Sequence, residues 1–214
     1  MNINDIWKEL KDYVLRSYVS ATCSTAVNIA FLAYNLYLGI VYKIVWNTSI
    51  CGYYFLLILL RGLIFYNERK WHKKPPKELY QSRTKLFQVE MYLLCVMDIA
   101  LIAPIYYMVK AQRSVRIGKI PAIAIAAYTT YKIVMAIINY RKTRKNENLS
   151  LYGLKILNLK DALVSILTLQ NTLIMVFGHK SEMMTLGAYT SGAILVLMIG
   201  ITIMLLRKSR KIRK

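Results

Sequence analysis

Residues 126–145 read AAYTTYKIVMAIINYRKTRK. The segment is apolar until it closes on a cluster of bases, yet it carries Lys132 well inside the apolar part, where hydrocarbon is expected. The rest of the chain repeats this layout, with basic residues in short blocks between apolar runs of about 20 residues, the length that crosses a hydrocarbon layer roughly 30 Å thick. Over 214 residues, 57% are hydrophobic and the mean hydropathy is +0.37. A water-soluble core cannot hide that much apolar surface. The formal charge of +20 would by itself fit a nucleic-acid binder, but the blocks sit where membrane loops belong and no DNA- or RNA-binding module accompanies them.

Six spans follow, at about 20–42, 50–66, 87–109, 120–140, 159–178 and 185–206. Arg61 and Lys132 lie inside spans, and the other bases divide unequally between the two sides. One side, made of the N-terminal segment, loops 67–85 and 141–160 and the tail, holds 22 of the 30 Lys and Arg. The other holds Lys43, Lys110, Arg113, Arg116, Lys119 and Lys180. Short, strongly basic loops resist translocation, so both termini are predicted to be cytoplasmic in a multi-pass protein of a cell membrane, the bacterial cytoplasmic membrane. Asp5, Glu9 and Asp12 interrupt any signal-peptide core. Ile3, Ile6, Trp7, Leu10 and Val14 instead recur at helical spacing, which predicts an amphipathic interfacial helix over 1–19. The six-helix domain then occupies 20–206, followed by a basic tail over 207–214.

The even-numbered spans end in RGLIFYNERKWHKK, INYRKTRK and MLLRKSRKIRK, and each carries tyrosines near its outer half, in CGYYF, AAYTTY and GAYTSG. The predicted architecture is therefore an all-α polytopic bundle of three out-and-back hairpins. Aligning the tyrosines puts Arg61 and Lys132 out of register, so the repetition is one of architecture. Loop 67–85, with Pro75-Pro76, reads as a solvated linker. The runs LAYNLYLGIVYKIVWNTSICGYYFLLILLRGLI, AAYTTYKIVMAIINYRKTRK and LNLKDALVSILTLQNTL resemble an uncharacterised family of six-span integral membrane proteins from low-GC Gram-positive bacteria. The resemblance covers roughly residues 28 to 206 and implies an architecture and a membrane location, with no activity attached.

Ionisable groups in a bilayer must pair, snorkel or meet water. Arg61 and Lys132 each lie about eight or nine residues from the inner end of a span, roughly 12–14 Å deep at about 1.5 Å per residue. Asp98 lies about 18 Å into the third span and is too short to snorkel. Pairing of Asp98 with Arg61 or Lys132 inside the bundle is the expected solution, and the alternative is a snorkelling Lys132 with Asp98 neutral or bonded to hydroxyls. Glu90, about one turn inside the third span, is expected at the interface. Span five is the most polar, with Ser165, Thr168, Gln170, Asn171 and Thr172. Asn28, Arg61, Asp98, Lys132, Gln170 and Asn171 form the candidate intramembrane polar site, either a solute site near the midplane or a set of interhelical fasteners. Small-residue rows, Ala122/Ala126/Thr130 in span four and Gly187/Ser191 and Ala188/Gly192 in span six, allow close helix packing.

Pro104 is the one proline within a span, and discontinuous helices are not evident. Tyr37, Tyr53, Tyr54, Tyr66 and Tyr106 belong to the expected aromatic belts. The outer loop KAQRSVRIGK and the sequon Asn47-Thr48-Ser49 complete the outer face. Cys23, Cys51 and Cys95 have no metal or redox spacing and predict no disulfide. His72 and His179 fall on opposite sides, and no catalytic or nucleotide fingerprint occurs, so an enzyme, a metal and a cofactor are not expected. The expected partners are the lipid bilayer, anionic inner-leaflet lipids at the basic loops and a second copy or a membrane partner protein, with nucleic acid excluded. Two functions remain: a small permease or channel-like transporter with a polar midplane site, or a membrane scaffold or regulatory subunit with a basic cytoplasmic face.

Overall fold

The computed structural model describes residues 3–43, 45–71, 75–111, 119–143, 149–177 and 181–213. They form α1 (Ile3–Tyr42), α2 (Val45–Trp71), α3 (Pro76–Ala100), α4 (Ile102–Ala111), α5 (Lys119–Thr143), α6 (Leu149–Phe177) and α7 (Ser181–Arg213). No strand occurs among the described residues. The chain is an all-helical bundle of six rods, the third of which is divided into α3 and α4 at Leu101. The division has a local cause. Pro104 has no N–H to give the Ala100 carbonyl, so one rung of the ladder is missing, while Leu101 still donates to Met97 O and Ile105 to Leu101 O. Leu101 keeps right-handed helical angles, φ −73° and ψ −16°, so the rod bends without unwinding.

Two other boundaries differ from expectation. The 67–85 segment is largely helical, because Pro76 sits in the first turn of α3, where its missing donor costs nothing, and α2 continues to Trp71. Both helices run on past their apolar stretches with polar residues. At the N-terminus α1 is one 40-residue helix with no break between the expected interfacial and spanning parts. The side chains of residues 3–18, on which the amphipathic expectation rests, lie outside the described residues. So do His72, His179 and most of the KAQRSVRIGK loop.

Interior contacts fix the direction of the rods. At one end Glu68 of α2 meets Arg83 of α3 in a two-pronged ion pair and accepts from Ser150 of α6, while the Lys208 ammonium of α7 lies 4.0 Å from the Tyr152 ring centroid. At the other end Asn47 of α2 donates to Asn35 of α1 at 3.0 Å, and Gln170 of α6 donates to the Gly187 carbonyl of α7 at 2.6 Å. Successive rods therefore run in alternate directions, and α1 begins at the same end at which α7 finishes. Lys43, with φ 51°, takes the left-handed turn that ends α1.

Three sequential hairpins are only partly realised. α1 packs along α2 and α6 touches α7, but α3 and α4 lie against α7, α2 and α6 and form no extended contact with α5 among the described residues. The closest partnerships of the second half are α5 with α6 and α3 with α7. Chain connection brings rods to the same neighbourhood, but side-chain pairing chooses the neighbour, and the ion pairs and hydrogen bonds described below tie α5 to α6 and α3 to both α6 and α7. α6 is consequently the hub, buried nearly all round over 149–165.

The polarity of the bundle is inverted. Arg61, Asp98, Lys160 and Asp161 are at most 1% exposed, whereas Val196, Ile123, Ile40 and Leu186 are 64–71% exposed. Buried apolar residues still fill the interior at helical spacing, as with Ile50, Tyr53, Tyr54, Leu57, Leu60 and Ile64 on α2. Among the described residues, four segments are long and apolar enough to cross a membrane: Val19–Val41, Val45–Lys70, Lys77–Tyr106 and Thr185–Ser209. α5 contributes a shorter apolar stretch, Ile125–Ile138.

Small and aromatic residues follow this packing. Gly187 and Ser191 face α6 at Gln170 and Ile174, while Thr130 is exposed and nothing lies within 4 Å of a Cβ built on Gly192. Tyr37, Tyr66 and Tyr106 are exposed as a belt requires. Tyr53 and Tyr54 are core residues instead, because they fall on the buried stripe of α2. Asn47 is likewise interior, in the first turn of α2 and hydrogen-bonded to Asn35 of α1, so the sequon is not a surface loop. Cys23, Cys51 and Cys95 are free thiols.

Candidate functional site

Lys160 and Asp161 are consecutive on α6, and at about 3.6 residues per turn their side chains leave the helix about 100° apart. That separation sends them into two different buried clusters. Lys160 turns toward α3 and α7, where its ammonium donates to Asp98 Oδ2 at 2.5 Å, to the Met198 carbonyl at 2.7 Å and to Thr202 Oγ1 at 2.6 Å. Thr202 in turn donates to Asp98 Oδ2 at 2.6 Å. An ammonium has three protons, and here each has an acceptor. This cluster is one cation and one carboxylate, closed off from the surface.

Asp161 turns the other way, toward α1, α2 and α5. Its Oδ1 accepts from Lys132 Nζ at 2.6 Å, and its Oδ2 accepts from Arg61 at 3.1 Å and from Asn28 Nδ2 at 2.9 Å. Lys132 also donates to Ser165 Oγ at 2.9 Å and to Asn28 Oδ1 at 3.3 Å, and Arg61 donates to Asn158 Oδ1 at 2.8 Å. The rings of Phe31, Tyr54 and Tyr128 surround the ammonium, with centroids 5.4–5.6 Å away, within cation–π range. Three donors from three rods, Asn28, Arg61 and Lys132, thus converge on one carboxylate carried by a fourth. Arg61 Nε and one terminal nitrogen have no partner among the described residues.

A groove of about 320 Å³ reaches this second cluster between α1 and α5. Ser20, Cys23, Ser24 and Val27 line one wall, Tyr128, Tyr131, Lys132, Met135 and Ala136 the other, and Asn158 and Asp161 of α6 form its floor. α1 and α5 do not pack extensively on each other, which leaves the gap. Ser20 and Val27 are seven residues apart, about 10 Å along α1, so the groove follows α1 over that length and ends at the ion cluster.

Of the expected site residues, Asn28, Arg61 and Lys132 come together. Asp98 does not join them: its partner is Lys160, and the expected pairing with Arg61 or Lys132 is replaced by their pairing with Asp161. Hydropathy ends a span at the adjacent charges Lys160-Asp161, but α6 begins at Leu149, so both are interior and the counter-ions change. The same shift removes Gln170 and Asn171 from the site. They lie nine and ten residues beyond Asp161, on the order of 13–15 Å along α6, where Gln170 caps a Gly187 carbonyl of α7 and Asn171 is buried. Ser165 belongs to the cluster, whereas the Thr168 and Thr172 hydroxyls donate to carbonyls of their own helix. Glu90 is 1% exposed and faces Gly153 of α6, because α3 starts at Pro76 and the residue is well inside the rod. The chain matches no protein-family model, no curated protein and no solved structure.

Proposed function

We propose that this chain is an integral membrane protein whose six rods cross the bilayer and which acts as a small permease or channel-like transporter. The observation that carries the reading is the groove between α1 and α5, which leads to the Lys132–Asp161–Arg61 cluster. A purely structural ion network has no need of an opening. An apolar exterior around buried charge is the arrangement a hydrocarbon solvent favours, since an unpaired charge at mid-helix costs about 2.5–3.5 kcal/mol on insertion scales. α5 and α6 count as spans in this reading even though they are less uniformly apolar, because the surrounding rods screen α6 from lipid. The basic end faces the cytoplasm of a bacterial cell, where anionic inner-leaflet lipids are its partners. The resemblance to six-span proteins of low-GC Gram-positive bacteria is part of the same proposal, as is a non-catalytic role without a cofactor or nucleic acid.

The Lys160–Asp98–Thr202 cluster favours the second reading, a scaffold or regulatory subunit, because it is fully enclosed and serves only to join α3, α6 and α7. Cys23 separates the two. In the Cys51→Ala/Cys95→Ala chain, reconstituted in vesicles, Cys23 is expected to react with a charged, water-soluble thiol reagent applied to the basic face, and not with reagent on the opposite face. Complete protection from both faces would remove the groove as an aqueous path and leave the scaffold.

A further inference from the structure

The two buried clusters differ in charge. Around Asp98 one ammonium meets one carboxylate. Around Asp161 two cations, Arg61 and Lys132, share a single carboxylate, and neither has another ion-pair partner among the described residues. All three side chains are at most 9% exposed. One positive charge is therefore left without a counter-ion in a place where such a charge is expensive. Lys132 lies at the boundary between this cluster and the groove, with its ammonium held by Asp161 and its neighbours Tyr128 and Tyr131 on the same wall.

The groove itself has two chemistries. Around its floor are Lys132, Asn158 and Asp161, and along its walls Val27, Met135, Ala136 and the Tyr131 ring offer apolar surface. At about 320 Å³ it falls at the low end of small-molecule sites, roughly 300–1,000 Å³. We infer that the groove binds a small amphipathic monocarboxylate, its head facing Lys132 and supplying the missing negative charge, its apolar body along Val27, Met135 and Tyr131. This rests on the transport reading of the same groove and names its substrate class. A cation would meet the Lys132 ammonium at the end of the groove and add to a cluster that already carries one excess positive charge, and a neutral molecule would leave the excess charge uncompensated.

The test uses octanoate, with octanol and octylammonium as probes of equal length, on the Cys51→Ala/Cys95→Ala chain in phosphatidylcholine nanodiscs. Saturating octanoate is expected to slow modification of Cys23 about tenfold, as mass action requires when few sites stay empty, and the other two to leave the rate nearly unchanged. Lys132→Gln is expected to abolish the protection. Because that substitution also breaks the pair with Asp161, the comparison of the three probes on the chain that keeps Lys132 decides the matter. Equal protection by octanol and octanoate, or protection only when phosphatidylglycerol is added to the discs, overturns the assignment. If Cys23 reacts readily and no probe protects it, the carboxylate class falls while the aqueous groove stands; if Cys23 never reacts, both fall.

Discussion

Lys132 is tolerated because Asp161 lies 2.6 Å from it, with Ser165, Asn28 and three aromatic rings completing its surroundings. Its depth in the segment was legible from the sequence. Its partner was not, because Asp161 follows Lys160, and two adjacent charges at the edge of an apolar run look like the end of a span. Only a continuous helix through that point turns the two side chains to opposite clusters. Breaking a buried pair by removing one member costs about 3–5 kcal/mol, since the other charge is left stranded. Asp98→Asn and Lys160→Met are each expected to lower the melting temperature in detergent markedly, with the double substitution losing clearly less than the two losses added together. Asp98→Asn combined with Lys132→Met should instead be additive. Coupling between 98 and 132, and none between 98 and 160, would contradict the two-cluster assignment.

At the scale of the helix, close approach is set by a few glycines. A Cβ at Gly39 would lie 2.6 Å from Thr48 Oγ1 and 3.1 Å from the Thr48 backbone nitrogen, so it would push α1 away from α2. Gly39→Ala is expected to cost about 1–3 kcal/mol, in the range of overpacked cores. Gly192→Ala, where the added methyl has open space, is expected to be neutral or to stabilise by up to about 1 kcal/mol through helix propensity. Thermal melts of the two variants, run side by side, check this; equal losses would mean that α1 and α2 are not in contact at Gly39. The small-residue rows were visible in the sequence, but periodicity could not tell which row faces a helix. Gly187/Ser191 faces α6, while Ala188/Gly192 does not close on a neighbour in the same way.

The whole bundle is organised by charge in two different senses. By sequence, most bases of the connections and tail belong to the end shared by the start of α1 and the finish of α7, and buried ions choose which rods become neighbours. Reporter fusions are accordingly expected to place both termini and the 72–74 and 144–148 connections on one side of a membrane, and the 112–118 and 178–180 connections on the other. Termini on opposite sides would remove an odd number of crossings from the proposed six and overturn that topology. Neutralising the connecting bases should affect orientation and leave the core stable, because the buried ion pairs among the described residues are made by other residues.

The repeating apolar runs of about 20 residues and the uneven distribution of bases determined, from the sequence alone, an all-helical chain with alternating rods and charge held deep inside. Those properties depend on chain-local quantities, namely span length, composition and loop charge. The identity of the ion pairs, the break-up of the second hairpin and the position of the groove were decided only by tertiary structure. Each depends on the rotation of a helix about its own axis and on which rod lies across from it, and a hydropathy pattern that is apolar on every side carries almost no record of either.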